Sequence, residues 1–153
     1  MGKKPLRNDS DTQILTLPAD VKYLEKVLEL LNERLDETSC PEDIRLALNI
    51  ATEEIYVNIA SYAYAPKQGD ARLAFTLEKD PEALSIEFID KGVPYNPLAK
   101  ENPDITLSAE DRQIGGLGIY MVKKSMDSLS YDYRNGENHF TIKKYLSPLK
   151  KQR

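Results

Sequence analysis

Residues 71–90 read ARLAFTLEKDPEALSIEFID. Apolar and polar residues alternate on both sides of residues 79–82, which predicts two β-strands, at 71–77 and 84–90, joined by a short hairpin loop. Asp90 has the same parity as the apolar residues of the second strand. We therefore expect its carboxylate to point to the core side of the sheet.

Periodic segments flank this hairpin on both sides. Their order is strand, helix, helix, strand, strand, long loop, helix, strand, strand, and the strands come mostly as antiparallel hairpins. The chain is therefore predicted to be an α+β two-layer sandwich, in which about three helices cover one face of a mixed, mostly antiparallel sheet. The flanking elements are a strand at 12–17, helices from 18–20 to about 35 and from 39–41 to about 64, a loop at 91–113, a helix after Gly118, and strands at 129–134 and 139–146 joined by Asn135 and Gly136.

The composition fits one globular domain and excludes several classes of protein. The chain has 153 residues, of which 41% are hydrophobic and 30% charged, and its net charge is -4. We expect one domain at 12–146 between a flexible tail at 1–11 and a basic tail at 147–153. The charge argues against a nucleic-acid-binding protein, and the single Cys40 and His139 exclude a disulfide framework and a multi-histidine metal site. Since the sequence has no apolar run of about 18 residues and no signal peptide, we expect no membrane association and a cytoplasmic location.

The second predicted helix carries a carboxylate and an amide next to apolar residues. On a helical wheel, Glu54 and Asn58 lie one turn apart between two apolar stripes and away from the predicted solvent face. They could bond to each other or to a loop. Alternatively, they could form a site with Glu54 as general base or water orienter and Asn58 as an oxygen ligand for Mg²⁺. The stripes are Leu48, Ala51, Ile55, Ile59 and Tyr62, and Leu46, Ile50 and Val57; the predicted solvent face is Arg45, Asn49, Thr52, Glu53 and Tyr56.

Two further positions have both a structural and a functional interpretation. Asp90 followed by Gly92 is typical of a capped turn, but a carboxylate in a pocket also suits an exocyclic amine such as that of adenine. Gly115, Gly116 and Gly118 stand where the long loop enters a helix, as in a flexible hinge or a phosphate site at a helix N-terminus. Because no Lys-Ser/Thr pair follows these glycines and no strand directly precedes them, they form neither a Walker A loop nor a Rossmann fingerprint.

Three segments, taken together and in this order, resemble the nucleotide-binding boxes of the gyrase/Hsp90/histidine-kinase/MutL ATPase superfamily. These segments are EIYVN at 54–58, DKGVPYNP at 90–97 and GGLGIYMV at 115–122. The stretch from Met126 to Thr141 also fits, and the chain is most similar to the small anti-sigma-factor serine kinases of bacteria. The resemblance covers residues 12–146 and implies a Bergerat-type ATP-binding fold.

The resemblance implies roles for the residues around the expected nucleotide. ATP would lie between the sheet and the helices, with the long loop as a lid over its phosphates. Asp90, close to Gly92, would accept a hydrogen bond from the adenine amine with help from Thr141. Asn58 would hold Mg²⁺, and Glu54 would activate a serine hydroxyl of a partner protein.

On the phosphate side, the resemblance implies that Gly115, Gly116 and Gly118 line the phosphates. Arg112, just before these glycines, could reach the terminal phosphate or could be a solvated arginine of the lid. One departure from the family pattern bears on this side, because Tyr62 stands where a histidine is often found. A second departure is Pro94, where the wider superfamily has a further glycine.

The function implied by the resemblance is that of an ATP-binding anti-sigma regulatory factor. Such a protein phosphorylates a serine on an anti-sigma-factor antagonist and sequesters a sigma factor by partner switching. The alternative is a nucleotide-binding partner-switch module without significant kinase activity, although the intact Glu54 favours activity. A fragment of a sensor histidine kinase is disfavoured because the one histidine, His139, lies in a late strand.

If Thr141 faces the nucleotide, Phe140 and Ile142 face the other side of the sheet, which a homodimer would then cover.

Overall fold

The antiparallel hairpin that residues 71–90 predict is present, and it lies in the middle of the sheet. The computed structural model describes residues 10–99 and 116–147. Its main elements are β1 Ser10–Pro18, α1 Leu24–Leu35, α2 Glu42–Asn58, β2 Asp70–Glu78, β3 Ala83–Asp90, α3 Gly116–Ser125, β4 Ser128–Arg134 and β5 Glu137–Tyr145. Short 3₁₀ turns at Val21–Tyr23 and Pro97–Ala99 and a π-helical turn at Ile59–Ala63 lie between them.

The five strands follow the order β1-β2-β3-β5-β4, and every neighbouring pair is antiparallel. Asn135 and Gly136, with φ of 54° and 76°, form the tight turn between β4 and β5, which is the backbone that an Asn-Gly hairpin favours. The helices pack against one face of the sheet. The predicted α+β two-layer sandwich is thereby confirmed, and the pairing of the described strands is antiparallel throughout.

The hydrophobic core fills the space between the sheet and the helices. Leu73, Phe75, Ile86 and Phe88 are fully buried on the sheet side, because strict alternation places all four on the same face. The helices contribute Val27, Leu31, Leu48, Ile55 and Val122.

The orientation of β5 differs from the one that a nucleotide contact through Thr141 requires. Phe140 and Ile142 are opposite Phe88 and Ile86 in the strand register and belong to the core. Thr141 is opposite Glu87 and therefore lies on the other face. Phe140 and Ile142 would leave the core and need a second copy to cover them only if Thr141 faced the nucleotide. The pairing with β3 turns them toward the helices instead.

The face of the sheet away from the helices is polar in its centre. His139 Nδ1 lies 2.8 Å from Glu87 Oε2. Arg134 forms an ion pair with Glu87 at 3.5 Å, and Arg72 forms one with Glu137 at 3.7 Å. The predicted homodimer therefore has no support from an apolar sheet face and stays a prediction.

Two faces of α2 are exchanged relative to the prediction from the helical wheel. Thr52 and Tyr56, expected in solvent, are fully buried, whereas Leu46 and Ile50, expected in the core, are 61% and 53% exposed. Glu53 is exposed as predicted. The apolar stripe that contains Leu46 and Ile50 thus points outward.

The position of α1 explains this exchange. Asn32 of α1 donates a hydrogen bond to Asn49 Oδ1 at 2.9 Å, and Arg45 donates one to Asn32 Oδ1 at 2.9 Å. Helix α1 therefore covers the polar side of α2. A helical wheel for one helix cannot show this, because polar residues that contact a second helix recur with the same spacing as polar residues that face solvent.

The buried Tyr56 gives a test of this packing. Its hydroxyl lies 2.8 Å from the carbonyl oxygen of Asp20 and 3.1 Å from that of Pro18, and it accepts a hydrogen bond from the Asp20 N–H at 3.3 Å. Burial raises the pKa of this phenol. Tyr56→Phe removes the hydroxyl, but the Asp20 N–H still donates to the Pro18 carbonyl and the Asp20 carbonyl still accepts from the Tyr23 N–H. We therefore expect the free energy of unfolding in urea to fall by about 1 kcal/mol, the scale of an ordinary hydrogen bond.

The matched control is Tyr133→Phe, at a position where the side chain is 42% exposed. It should change the free energy of unfolding by less than about 0.5 kcal/mol. Equal effects of the two substitutions would contradict the burial of Tyr56.

Candidate functional site

A cavity of about 420 Å³ lies between α2, α3 and the inner face of the sheet. Most of its wall is apolar, and the polar side chains of Asn58, Asp90 and Asn138 stand within that wall. This volume and this mixture of groups are typical of a small-molecule pocket. The apolar part of the wall includes Ile55, Ile59, Phe88, Ile119 and Phe140.

Asp90 lies at the end of β3 and is 6% exposed. As its parity predicts, it faces the helices and lines the cavity. Its Oδ1 accepts hydrogen bonds from the Gly92 N–H at 2.8 Å and from Asn138 Nδ2 at 2.9 Å. Among the described residues, Oδ2 has no hydrogen-bond partner. The turn-capping role and a binding role are thus compatible, since each uses a different oxygen of the same carboxylate.

Asn138 is the site residue that the sequence did not reveal. It is opposite Asp90 in the register of β3 and β5. Its Nδ2 also donates to the Val93 carbonyl at 2.9 Å, while its Oδ1 accepts from the Tyr95 N–H at 3.1 Å and from the Tyr131 hydroxyl. The amide is therefore held by protein groups at both ends and fixes the position of the Asp90 carboxylate.

Tyr131 completes this network from β4. Its hydroxyl donates to Asn138 Oδ1 and accepts from the Tyr95 N–H at 3.2 Å. Burial is the largest influence on the pKa of Tyr131 and raises it, while the hydrogen bond from Tyr95 lowers it. With a raised pKa, the phenol remains protonated near neutral pH and keeps its donor role.

Thr141 does not join this site. It lies three positions beyond Asn138 on the opposite face of β5, where it is opposite Glu87. The signal that could have identified Asn138 is its parity, because Asn138, Phe140 and Ile142 alternate on one face. This parity identifies Asn138 only when the pairing of β5 with β3 is known, and the local sequence does not show which strand β5 pairs with.

The loop after β3 is attached to the end of the second helical segment. A Cβ atom at Gly92 would lie 2.2 Å from the Ala63 carbonyl oxygen, and the Val93 N–H donates to that oxygen at 3.1 Å. Tyr64 OH also accepts from the Lys91 N–H at 2.7 Å. A side chain at Gly92 would therefore separate the loop from the π-helical turn that borders the cavity.

Glu54 and Asn58 lie on the side of α2 that faces α3. Asn58 Nδ2 donates to Glu54 Oε2 at 3.4 Å, so the two side chains do contact each other. A Cβ atom at Gly118 would lie 2.1 Å from the Glu54 carboxylate. Gly118 is thus the residue that lets the first turn of α3 approach Glu54, and the partial positive charge of a helix N-terminus favours a carboxylate there.

Of the predicted site residues, the structure places two in the wall of the cavity and brings three others into contact with these two or with each other. Asp90 and Asn58 line it, Gly92 holds the Asp90 carboxylate, and Glu54 contacts both Asn58 and the position of Gly118. Gly116 begins α3. Arg112 and Gly115 lie outside the described residues.

The donor set near α2 fits a hard divalent cation. Asn58 Oδ1 has no partner among the described residues, and the Glu54 carboxylate adds further oxygens. Mg²⁺ commonly takes one or two protein oxygens and completes its shell with phosphate oxygens and water. Within residues 10–99 and 116–147, no cluster of three or more histidine, cysteine, aspartate or glutamate side chains is placed to hold a metal ion.

Tyr62 occupies the mouth of the cavity. It belongs to the π-helical turn that follows Asn58, it lines the cavity, and its side chain is 72% exposed. Single π-helical turns often mark functional sites.

None of the helices that the structure describes has the length and apolar character of a membrane span.

Comparisons with known proteins show the family of this chain. Residues 17–144 match the family described as the histidine kinase-like ATPase domain. A serine/threonine-protein kinase, BtrW of Bordetella bronchiseptica, is 31% identical over 105 residues, which cover 69% of this chain and 73% of that protein.

A solved structure from Mycobacterium tuberculosis, of a chain with RsbU and RsbW domains, shares the fold. It superposes with a TM-score of 0.64 at 18% identity over 91% of this chain. The match spans 33% of that longer chain. The resemblance to the small serine kinases of the superfamily is thereby confirmed, and the chain belongs to the histidine kinase-like ATPase domain family.

Proposed function

We propose that the cavity binds ATP with Mg²⁺ and that the chain transfers the γ-phosphate to a serine of a partner protein. The observation that carries the proposal is Asp90, a buried carboxylate at the wall of a largely apolar cavity. One of its oxygens is held by Gly92 and Asn138, and the other has no partner among the described residues. A buried carboxylate needs donors, and the exocyclic amine of adenine is such a donor.

The arrangement favours adenine over guanine. The apolar wall suits the faces of a purine ring, and Asp90 offers only acceptors when it is ionised. Guanine presents a carbonyl oxygen where adenine presents its amine, so two acceptors would oppose each other. A site built around one hydrogen bond discriminates strongly against an analogue that cannot make it.

Phosphoryl transfer depends mainly on positioning, charge neutralisation and a base. Asn58 is the residue that would hold Mg²⁺, which when bound neutralises negative charge on the phosphates. Glu54 would accept the proton of the attacking serine hydroxyl on a carboxylate oxygen. We assign the phosphate contacts to the main chain at Gly115, Gly116 and Gly118, with Arg112 at the terminal phosphate.

The partners that we propose are an anti-sigma-factor antagonist, which carries the serine, and a sigma factor. The similarity to BtrW and to the chain with an RsbW domain supports this choice. The chain would act in the cytoplasm as one domain over residues 12–146 and would form a homodimer. The alternative is a partner-switch module that binds nucleotide without significant kinase activity.

Two substitutions on β5 test the assignment of the adenine side. Asn138→Ala removes the side chain that holds Asp90 Oδ1 and the loop at Val93, so ATP binding should weaken by at least about tenfold, or 1.4 kcal/mol. Thr141→Ala alters a residue on the other face and should leave the Kd within about twofold. Fluorescence titration with a labelled ATP analogue measures both. Equal losses in the two variants would contradict the placement of the adenine site.

Activity is tested by transfer of the labelled γ-phosphate of ATP to a purified antagonist protein from the same organism. Serine phosphorylation that depends on this chain supports the kinase. Tight ATP binding with no transfer to any cognate antagonist would favour the partner-switch module. Absence of ATP binding would overturn both functions.

A further inference from the structure

The outward side of α2 carries an apolar stripe that no element of the described structure covers. Leu46 and Ile50 are 61% and 53% exposed. They stand one turn apart, and the half-buried Val57 follows two turns further on, with the exposed Glu53 between Ile50 and Val57. We call Leu46, Ile50 and Val57 the α2 stripe. It lies on the side of the helix turned away from the sheet, whereas the cavity is lined from the other side by Ile55 and Asn58.

Along α2, the charged residues next to the α2 stripe are acidic, because Glu42 and Asp43 lie about one turn before Leu46 and Glu53 lies between Ile50 and Val57. Helix α3, which packs beside α2, carries Lys123 and Lys124 in its last turn. On α1 and α2, the exposed charged side chains are carboxylates, with the exception of Lys26. Arg34 is buried, and the half-buried Arg45 is engaged by Asp36 at 2.8 Å and by Glu42 at 3.4 Å. The exposed carboxylates of the two helices are Glu25, Glu29, Glu33, Glu42, Asp43 and Glu53.

We propose that the α2 stripe docks a helical segment of a partner protein that has an apolar stripe of its own and basic flanks. An apolar line one helix wide is suited to an amphipathic helix laid along it. The carboxylates along α2 attract a basic segment and steer its approach. The same charges disfavour a second copy of this surface and an anionic lipid surface, because both would place like charges together. This surface is separate from the nucleotide cavity and does not depend on the function proposed for that cavity.

The probe for this proposal is a labelled synthetic peptide of about 18 residues, or five helical turns, with leucine along one face and lysine on the rest. A second peptide carries glutamate in place of lysine. Fluorescence anisotropy with the full chain measures both affinities. We expect the lysine peptide to bind at least about tenfold more tightly than the glutamate peptide, and the difference should shrink at high salt.

Variants of the chain locate the binding. The double variant Leu46→Ser, Ile50→Ser should bind the lysine peptide at least about tenfold more weakly, since it removes exposed apolar surface from the stripe. The matched control is Ile14→Ser, where an equally exposed side chain, at 60%, lies on β1, and binding should stay within about twofold. Glu53→Lys keeps the apolar stripe and should weaken binding at least about threefold through charge alone.

Four results would overturn the proposal. The first is wild-type affinity of the double serine variant for the lysine peptide, and the second is equal binding of the two peptides. The third is self-association of the wild-type chain in sedimentation that the double variant loses, because the stripe would then be a contact between copies. The fourth is stripe-dependent binding to vesicles of phosphatidylserine and phosphatidylcholine.

Discussion

Asp90→Asn is expected to weaken ATP binding by about a hundredfold, or ~3 kcal/mol. The asparagine oxygen can still accept from the Gly92 N–H and Asn138 Nδ2, which lie 2.8 and 2.9 Å from Asp90 Oδ1. Its amide nitrogen then replaces Oδ2 and presents a donor to the adenine amine, which is also a donor. The loss therefore combines a missing hydrogen bond with an unpaired polar group in a buried place.

The same substitution should change the preference for the base. A donor at this position suits the carbonyl oxygen of guanine, so the ratio of ATP affinity to GTP affinity should fall at least about tenfold. Loss of folding or of phosphate contacts would weaken both nucleotides alike and would leave this ratio unchanged. Calorimetric titration with ATP and GTP measures the ratio. Asp132→Asn, on the polar face of the sheet, is the control and should leave both affinities unchanged. An ATP affinity of Asp90→Asn within threefold of wild type would contradict the role of Asp90.

Glu54→Gln is expected to lower the rate of serine phosphorylation by at least about a hundredfold, which is the scale of general-base catalysis. Glutamine has the same shape, and its oxygen can still accept from Asn58 Nδ2 in place of Glu54 Oε2. It cannot take the serine proton at neutral pH. The Kd for ATP should therefore stay within about threefold, and the loss should appear in kcat.

The neighbouring Glu53→Gln is the matched control for this prediction. Glu53 is exposed on the same helix. Its substitution therefore removes one negative charge at the adjacent position and leaves the side chains of the site unchanged. At saturating antagonist, the rate of phosphorylation by Glu53→Gln should equal that of the wild-type chain. A Glu54→Gln variant that keeps more than about a third of the wild-type rate would show that Glu54 is not the base.

The direction of Asp90 could be predicted from sequence because alternation along one strand is a local property. Asn138 could not, because its role follows from the pairing that sets it opposite Asp90. Thr141 was favoured by the resemblance, but a shift of three positions along a strand moves a side chain to the other face. Long-range register therefore decided which polar residue of β5 meets the cavity.

The faces of α2 show a second limit of reasoning from one segment. The wheel correctly separated Glu54 and Asn58 from exposed Glu53, since that separation depends only on helical geometry. It could not tell which of two apolar stripes meets the sheet. Helix α1 settled this by covering the polar side at Asn49, and the stripe at Leu46 and Ile50 was left in solvent.

The close approach at Gly118 was also invisible in the sequence. The glycines at the start of α3 were interpreted through phosphate contacts, whereas the structure gives Gly118 a packing role against Glu54. The reason is that the approach involves two helices far apart in the chain. Only the pairing of α2 with α3 reveals which residue needs the absence of a Cβ atom.

In the proposed function, this cavity holds ATP with its base at Asp90 and its phosphates beside Asn58. Calorimetric titration of the wild-type chain and of Asn58→Ala with ATP, with and without Mg²⁺, tests this binding mode. We predict one saturable site per wild-type chain, an affinity at least about tenfold higher with Mg²⁺, and a gain of less than about threefold in Asn58→Ala. No saturable binding by the wild-type chain at millimolar ATP with Mg²⁺, or an undiminished Mg²⁺ gain in Asn58→Ala, would contradict the account.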